Sequence, residues 1–253
     1  MNNKLIYLYC VTSSGSDDRL PMSGIDGSEI CCFEFENFKI WFSETNNADM
    51  KCDFESLKIH NQVSLALMEK YTVIPFKYGT RVRSKNEVYS LVDKLCSQLQ
   101  ENINKLAGKY EVGVKVFGEV NIDEVLDNSR PTAVERLNSI KSKLDCREYF
   151  IDRIKLYEEE KKKEQGLNRL KDTLLGGLMA LADACTVVNG KSSRLLINSA
   201  FLIKKSSAKI FEEQFDYIKN NNPGFSFLFS GPWPPYNFVK ISIEGDKESH
   251  FQV

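Results

Sequence analysis

Chemistry at neutral pH needs a nucleophile, an acid–base group, a metal cluster or a phosphate cradle, and this chain is sparse in all four. It has two histidines, His60 and His250. His60 lies in a helical run, Ile59-His60-Asn61-Gln62-Val63, where a hydrogen-bonded structural imidazole is the expected role. The cysteines Cys10, Cys31, Cys32, Cys52, Cys96, Cys146 and Cys185 are scattered and include no Cys-x-x-Cys pair. A Cys–His dyad would need folding to bring Cys31, Cys32 or Cys52 to an imidazole. Acidic pairs such as Asp17-Asp18 and Asp123-Glu124 sit in polar stretches and read as solvated. No dinucleotide-binding glycine pattern, Walker loop, nucleophile elbow or His-Glu-x-x-His is present. The expectation is a chain that is not an enzyme and uses no metal or cofactor.

Binding chemistry is better represented. Lys77, Arg81, Arg83 and Lys85 cluster in sequence, either as solvated surface or as a site for an acidic partner. Phe33, Phe35, Phe38, Trp41 and Phe42 would suit base stacking, so a ferredoxin-like nucleic-acid-binding module is the alternative reading. Glu29, Glu34, Glu36 and Glu44 against a single Lys39 would repel phosphates there, which favours core packing for those rings. The most unusual stretch is Gly231-Pro232-Trp233-Pro234-Pro235-Tyr236-Asn237-Phe238-Val239. Its prolines exclude helix interior and central strand, while Trp233, Tyr236 and Phe238 load aromatic area onto a stiff backbone. The expected role is a latch that folds Trp233 and Tyr236 back onto the second domain; the alternative is that the stretch is itself the contact for a partner.

The 253 residues suffice for two modest cores, and a hydrophobic fraction of 42% with 27% charged residues is ordinary for a globular protein. A formal net charge of −1 offers no global footprint for nucleic acid or an anionic membrane. No membrane span or export signal is expected, and the cysteine usage fits a cytoplasmic setting.

The elements that would position these groups follow from periodicity. Strands are expected at 4–11, 29–35 and 38–43, the last two joined by a tight turn at Glu36-Asn37. A helix over about 54–70 precedes the extended piece Val73-Ile74-Pro75-Phe76, with Pro75 marking an edge or bulge. Ser84 caps a second helix that Gly108 ends, and the strand at 110–116 alternates Tyr110, Val112, Val114 and Val116 with polar Glu111 and Lys115. From Pro131 to Glu164 and again from Leu167 the pattern is helical, so a helical hairpin turning at Gly166 is expected. A β-β-α-β series follows, with an Asn189-Gly190 turn. The fold class is α+β with two domains. Residues 1–130 form a ferredoxin-like variant; residues 131–253 carry the helical hairpin, packed on or projecting from a small antiparallel sheet, and end in the proline-aromatic stretch.

Several of these segments, taken in order, resemble the GvpF/GvpL family of gas vesicle proteins. They are His60-Asn61-Gln62-Val63; Ile74-Pro75-Phe76-Lys77-Tyr78-Gly79-Thr80; the strand at 110–116; Tyr149-Phe150-Ile151-Asp152-Arg153; Asn198-Ser199-Ala200-Phe201-Leu202-Ile203; and Gly231 to Phe238. The last is the strongest signature, the corner at 74–80 is intermediate, and the others are weak singly. Lys77 stands where the family's corner has arginine, keeping the charge but not the planar fork. Asn237 stands at a common serine position and can cap locally.

The resemblance implies a non-enzymatic accessory role: a minor structural component or assembly factor, located at the gas vesicle or in the cytoplasm. The implied partners are the hydrophobic shell protein GvpA and other gas vesicle accessory proteins. The residues it marks, whether structural or partner-binding, are His60, Pro75 to Thr80, Tyr149, Arg153, Asn198, Gly231 to Tyr236 and Phe238.

Overall fold

The computed structural model describes residues 4–15, 19–46, 53–119, 147–188 and 194–241. Asp17-Asp18, Cys52, Asp123-Glu124, Cys146, the helical pattern at 131–146, the Asn189-Gly190 turn and His250 lie outside the described residues. The chain divides into two compact units, Met1–Val112 with Ala200–Ser206 and Ser230–Val253, and Gly113–Ser199 with Ser207–Phe229. The boundary expected near residue 130 falls outside the described residues.

The first unit is built on β1 (Leu5–Ser13), whose apolar and aromatic residues are buried along nearly its whole length. Such a strand must be covered on both faces and both edges. It pairs antiparallel with β4 (Phe38–Thr45), β5 (Val73–Pro75) and β6 (Arg81–Val82). β2 (Arg19–Ser23) and β3 (Glu29–Phe35) extend the sheet in the order β2-β3-β4-β1-β5, with β6 also on β1. Phe35 pairs with Phe38 across Glu36-Asn37, with Glu36 at φ +50°, so the tight turn is where expected. Pro75 sits on an edge strand, where its missing donor is harmless.

Helix α1 (Phe54–Lys70) starts at Asp53, whose side chain accepts from the Ser56 N–H at 2.8 Å. Helix α2 (Lys85–Leu106) starts at Ser84, which accepts from the Glu87 N–H. Val63, Leu67 and Met68 of α1 bury against Tyr7, Tyr9, Cys10 and Trp41 of the sheet. Four strands precede α1, so the order departs from the alternation of a minimal ferredoxin-like unit. The rings that could have stacked bases belong to packing instead. Phe38 and Trp41 are buried, and Phe33 and Phe35 pack on Tyr89. Lys39 is buried too, its Nζ 3.4 Å from Glu34.

A four-stranded sheet has the order β10-β7-β9-β8, from β7 (Lys109–Phe117), β8 (Ala184–Val187), β9 (Leu195–Lys204) and β10 (Ser226–Trp233). In the second unit, helix α3 (Arg147–Leu181) and helix α4 (Ala208–Asn221) pack on each other. Phe211 and Phe215 of α4 meet Phe227 and Phe229. The turn expected at Gly166 is absent, because α3 runs through it without a break. Glycine costs a helix interior about 1 kcal/mol relative to alanine but keeps its N–H, so the hydrogen-bond ladder survives. The charged residues Lys161, Lys162, Lys163 and Glu164 are exposed, as the run's composition predicts.

Candidate docking groove

His60 and the corner at 74–80 form one hydrogen-bonded assembly. The carbonyl of Phe76 can only accept, so His60 Nε2 carries the hydrogen and donates to it at 3.0 Å. His60 Nδ1 is then the acceptor, and the Tyr7 hydroxyl donates to it at 2.9 Å. The same hydroxyl accepts from the Gly79 N–H at 3.2 Å. The relay thus runs Gly79 to Tyr7 to His60 to Phe76, and every group has a partner. Burial holds the imidazole neutral, lowering its pKa to about 4, with the Phe76 carbonyl opposing weakly. Burial likewise pushes the Tyr7 hydroxyl upward. Rings of Tyr9 and Tyr78 flank the imidazole at 5.8 Å each. His60 is thus buried and hydrogen-bonded through both ring nitrogens.

The corner itself is closed. Phe76 N–H donates to the Tyr9 carbonyl, and Thr80 donates twice to the Lys77 carbonyl, through N–H and Oγ1. Gly79 has φ +87°, a conformation that L side chains resist. Lys77 is exposed above it.

The proline-aromatic stretch docks on the first unit, which corrects the expectation that it closes the second domain. β10 runs through Gly231 and Pro232, allowed because β10 is an edge strand. Gly231 adopts φ +131°, and a Cβ there would stand 3.1 Å from the Glu111 carbonyl. Pro234, Pro235, Phe238 and Val239 are buried. Asn237 does not cap locally. Its N–H and Nδ2 both donate to the Glu111 carboxylate, at 2.9 and 2.5 Å. Glu111 is therefore buried, not the solvent-facing residue that strand alternation predicts, and burial raises its pKa against those two bonds. Lys105 Nζ donates to the Phe238 carbonyl, and Asn102 exchanges hydrogen bonds with Lys240. The Tyr236 hydroxyl, pushed up by burial, faces Ser64, whose buried oxygen meets no partner in full hydrogen-bond geometry.

Trp233 is the exception in the stretch: it is half-buried, not enclosed. With Tyr236, Tyr78, His60 and the first turns of α1 it borders a groove of about 530 Å³. Phe54 and Leu57, 76% and 43% exposed, form its rim, and Lys58, Asn61 and Lys77 complete it. So large an exposed aromatic beside a preformed apolar groove is the usual mark of a contact surface. Of the basic cluster, only Lys77 lines this groove. Arg81 donates to the Gly79 carbonyl, and Lys85 lies over the Phe42 ring at 5.1 Å.

Other marked residues lie elsewhere. Arg153 is exposed on α3, which also carries Tyr149. Asn198 joins β9 to the end of β8, donating from Nδ2 to the Val188 carbonyl and accepting the Val188 N–H. Sequence reasoning missed Tyr7, Glu111 and the rim residues Phe54 and Leu57. The only signal for the rim was an aromatic residue directly after the cap Asp53.

The groove supplies stiff aromatic area and lysine charge on an α+β scaffold, and its one imidazole has both nitrogens committed. The family model described as gas vesicle synthesis protein GvpL/GvpF matches residues 5–240, and the chain belongs to that family. Gas vesicle protein F1 of Halobacterium salinarum is 21% identical over 247 residues, covering 96% of each chain. Crystal structures of GvpF share the fold. That from Anabaena sp. PCC7120 has a TM-score of 0.74 and 22% identity, covering 97% of this chain and all of that one. That from Microcystis aeruginosa has a TM-score of 0.72 and 19% identity, covering 94% and 100%. No helix among the described residues is long and apolar enough to cross a membrane.

Proposed function

We propose that this protein is a non-enzymatic accessory protein of gas vesicles that binds the hydrophobic shell subunit GvpA during vesicle formation. Membership of a family described by vesicle synthesis supports the setting. The single observation that carries the binding role is the groove. Phe54 and Leu57 are left in water at its rim while its floor is held by the Gly79–Tyr7–His60–Phe76 relay. Apolar and aromatic groups on an ordered backbone bind a greasy partner with little ordering cost. Its place of action is the growing vesicle, as a minor component or an assembly factor.

Co-expression with the shell subunit tests this reading. The subunit should co-purify with the chain and remain soluble, and loss of the chain should reduce vesicle number. Unchanged aggregation of the subunit together with normal vesicle formation would sink it. Immunoblots of washed vesicles, before and after collapse, separate a retained component from a factor that leaves.

A further inference from the structure

We propose that Tyr7, a fully buried strand residue that does not itself line the groove, is the positioning residue that fixes the groove's Tyr78 wall through the Gly79 N–H. This deepens the reading above and rests on it for what the groove binds; the placement of residues 77–79 can be measured with no partner present.

Both ends of the corner are stitched to β1. Phe76 N–H donates to the Tyr9 carbonyl, and Leu8 N–H donates to the Thr80 carbonyl at 3.0 Å. Residues 77–79 bridge the two stitches, and Lys77 and Tyr78 among them line the groove. Gly79 crosses at φ +87°, and its N–H meets the buried Tyr7 hydroxyl at 3.2 Å. That hydroxyl is set by its other bond. His60 Nε2 gives its hydrogen to the Phe76 carbonyl, so Nδ1 accepts, and the Tyr7 O–H points to it at 2.9 Å. With its single hydrogen committed, the oxygen turns its lone pairs to Gly79. The Tyr78 ring stands edge-on to both partners, its centroid 6.4 Å from that of Tyr7 and 5.8 Å from that of His60. One buried hydroxyl therefore joins β1, α1 and the corner. A wall held in this way is ordered before a partner arrives, which lowers the ordering cost of binding.

Tyr9 supplies the comparison. It lies two residues further along β1 and is equally buried. Its hydroxyl also makes two bonds, accepting from the Ile25 N–H at 2.7 Å and sharing a hydrogen with Ser43 at 2.8 Å. Neither Ile25 nor Ser43 lines the groove. Loss of either hydroxyl strands two buried polar partners, but only the loss at Tyr7 reaches the groove.

The experiment compares Tyr7→Phe with Tyr9→Phe in the full chain, both keeping the ring. The first readout is hydrogen exchange of the Thr80 amide, whose bond to the Lys77 carbonyl spans the bridge. Under conditions of equal global stability, that exchange should be at least about tenfold faster in Tyr7→Phe than in Tyr9→Phe. The second readout is retention of the co-expressed shell subunit, which should fall about fivefold or more in Tyr7→Phe and stay near wild type in Tyr9→Phe. Adding Tyr78→Ala to Tyr7→Phe should lower retention little further, because both changes act on one wall. Equal Thr80 exchange in the two variants, or wild-type retention in Tyr7→Phe, would overturn the assignment. So would a Tyr7→Phe chain that fails to fold while Tyr9→Phe folds, since the hydroxyl would then serve the core and not the groove. If the wild-type chain retains no shell subunit, the partner reading fails, and Thr80 exchange alone decides the role of Tyr7.

Discussion

At the residue scale, His60 and Glu111 make opposite contributions to stability as pH changes. His60 is neutral in the fold, with a pKa near 4 against about 6.5 when unfolded, so the unfolded chain takes up the proton first on acidification. Its contribution is complete above about pH 6.5 and is lost as pH falls toward 4, on the order of 2 kcal/mol between pH 7 and pH 5. Glu111 is raised by burial, so its folded form holds a proton more readily, and its contribution weakens as pH rises past the ordinary carboxylate range. The two effects oppose each other between about pH 4.5 and 6.5, so the measurement is a difference. Denaturant titrations of wild type and His60→Gln at pH 7 and pH 5 should show the smaller acid loss in the variant. Glu111→Ala strands both donors of Asn237 and should cost roughly 1–3 kcal/mol by the same titration. That His60 sits within a helix was legible in its sequence neighbourhood. The burial of Glu111 was not, because its partner lies 126 residues away.

At the scale of elements, glycines are informative in two different ways. Gly231 holds φ +131° with its Cα against the β7 backbone, so Gly231→Ala should cost about 1–3 kcal/mol and lower the melting temperature. Gly176 of α3 has open space where a Cβ would go, so Gly176→Ala should stabilise by about 0.5–1 kcal/mol. Gly166 misled the reading of α3 for a related reason. A glycine in a charged run permits a turn but does not force one, and only packing decides whether the ladder continues. The cap read at Ser84 was more reliable, and the structure adds a second at Asp53. Asp53 and Ser84 act through atoms three residues away, so α1 and α2 begin where local chemistry puts them.

For the whole molecule, the prediction that matters separates fold from function within one stretch. Pro234, Pro235 and Phe238 are buried in the first unit, whereas Trp233 is half-buried at the groove. Trp233→Ala should therefore cost less than about 2 kcal/mol, below the roughly 3–5 kcal/mol of an enclosed aromatic. Shell-subunit retention should nevertheless fall severalfold. A thermal melt and a pull-down on the same preparation check both halves. A large stability loss would make Trp233 a latch after all.

The chain by itself determined most of the local elements, the cap at Ser84, the proline corner at 74–80 and its likeness to one family. These depend on dihedral preferences, capping atoms and apolar periodicity, all readable within a few residues. Only the tertiary structure decided that α3 runs unbroken and that the proline-aromatic stretch closes on the first unit. It alone also decided that Phe54, Leu57 and Trp233 share one groove. Those outcomes depend on pairings across more than a hundred residues, such as Glu111 with Asn237 and Lys105 with Phe238. Their free energy comes from burial that no local window contains.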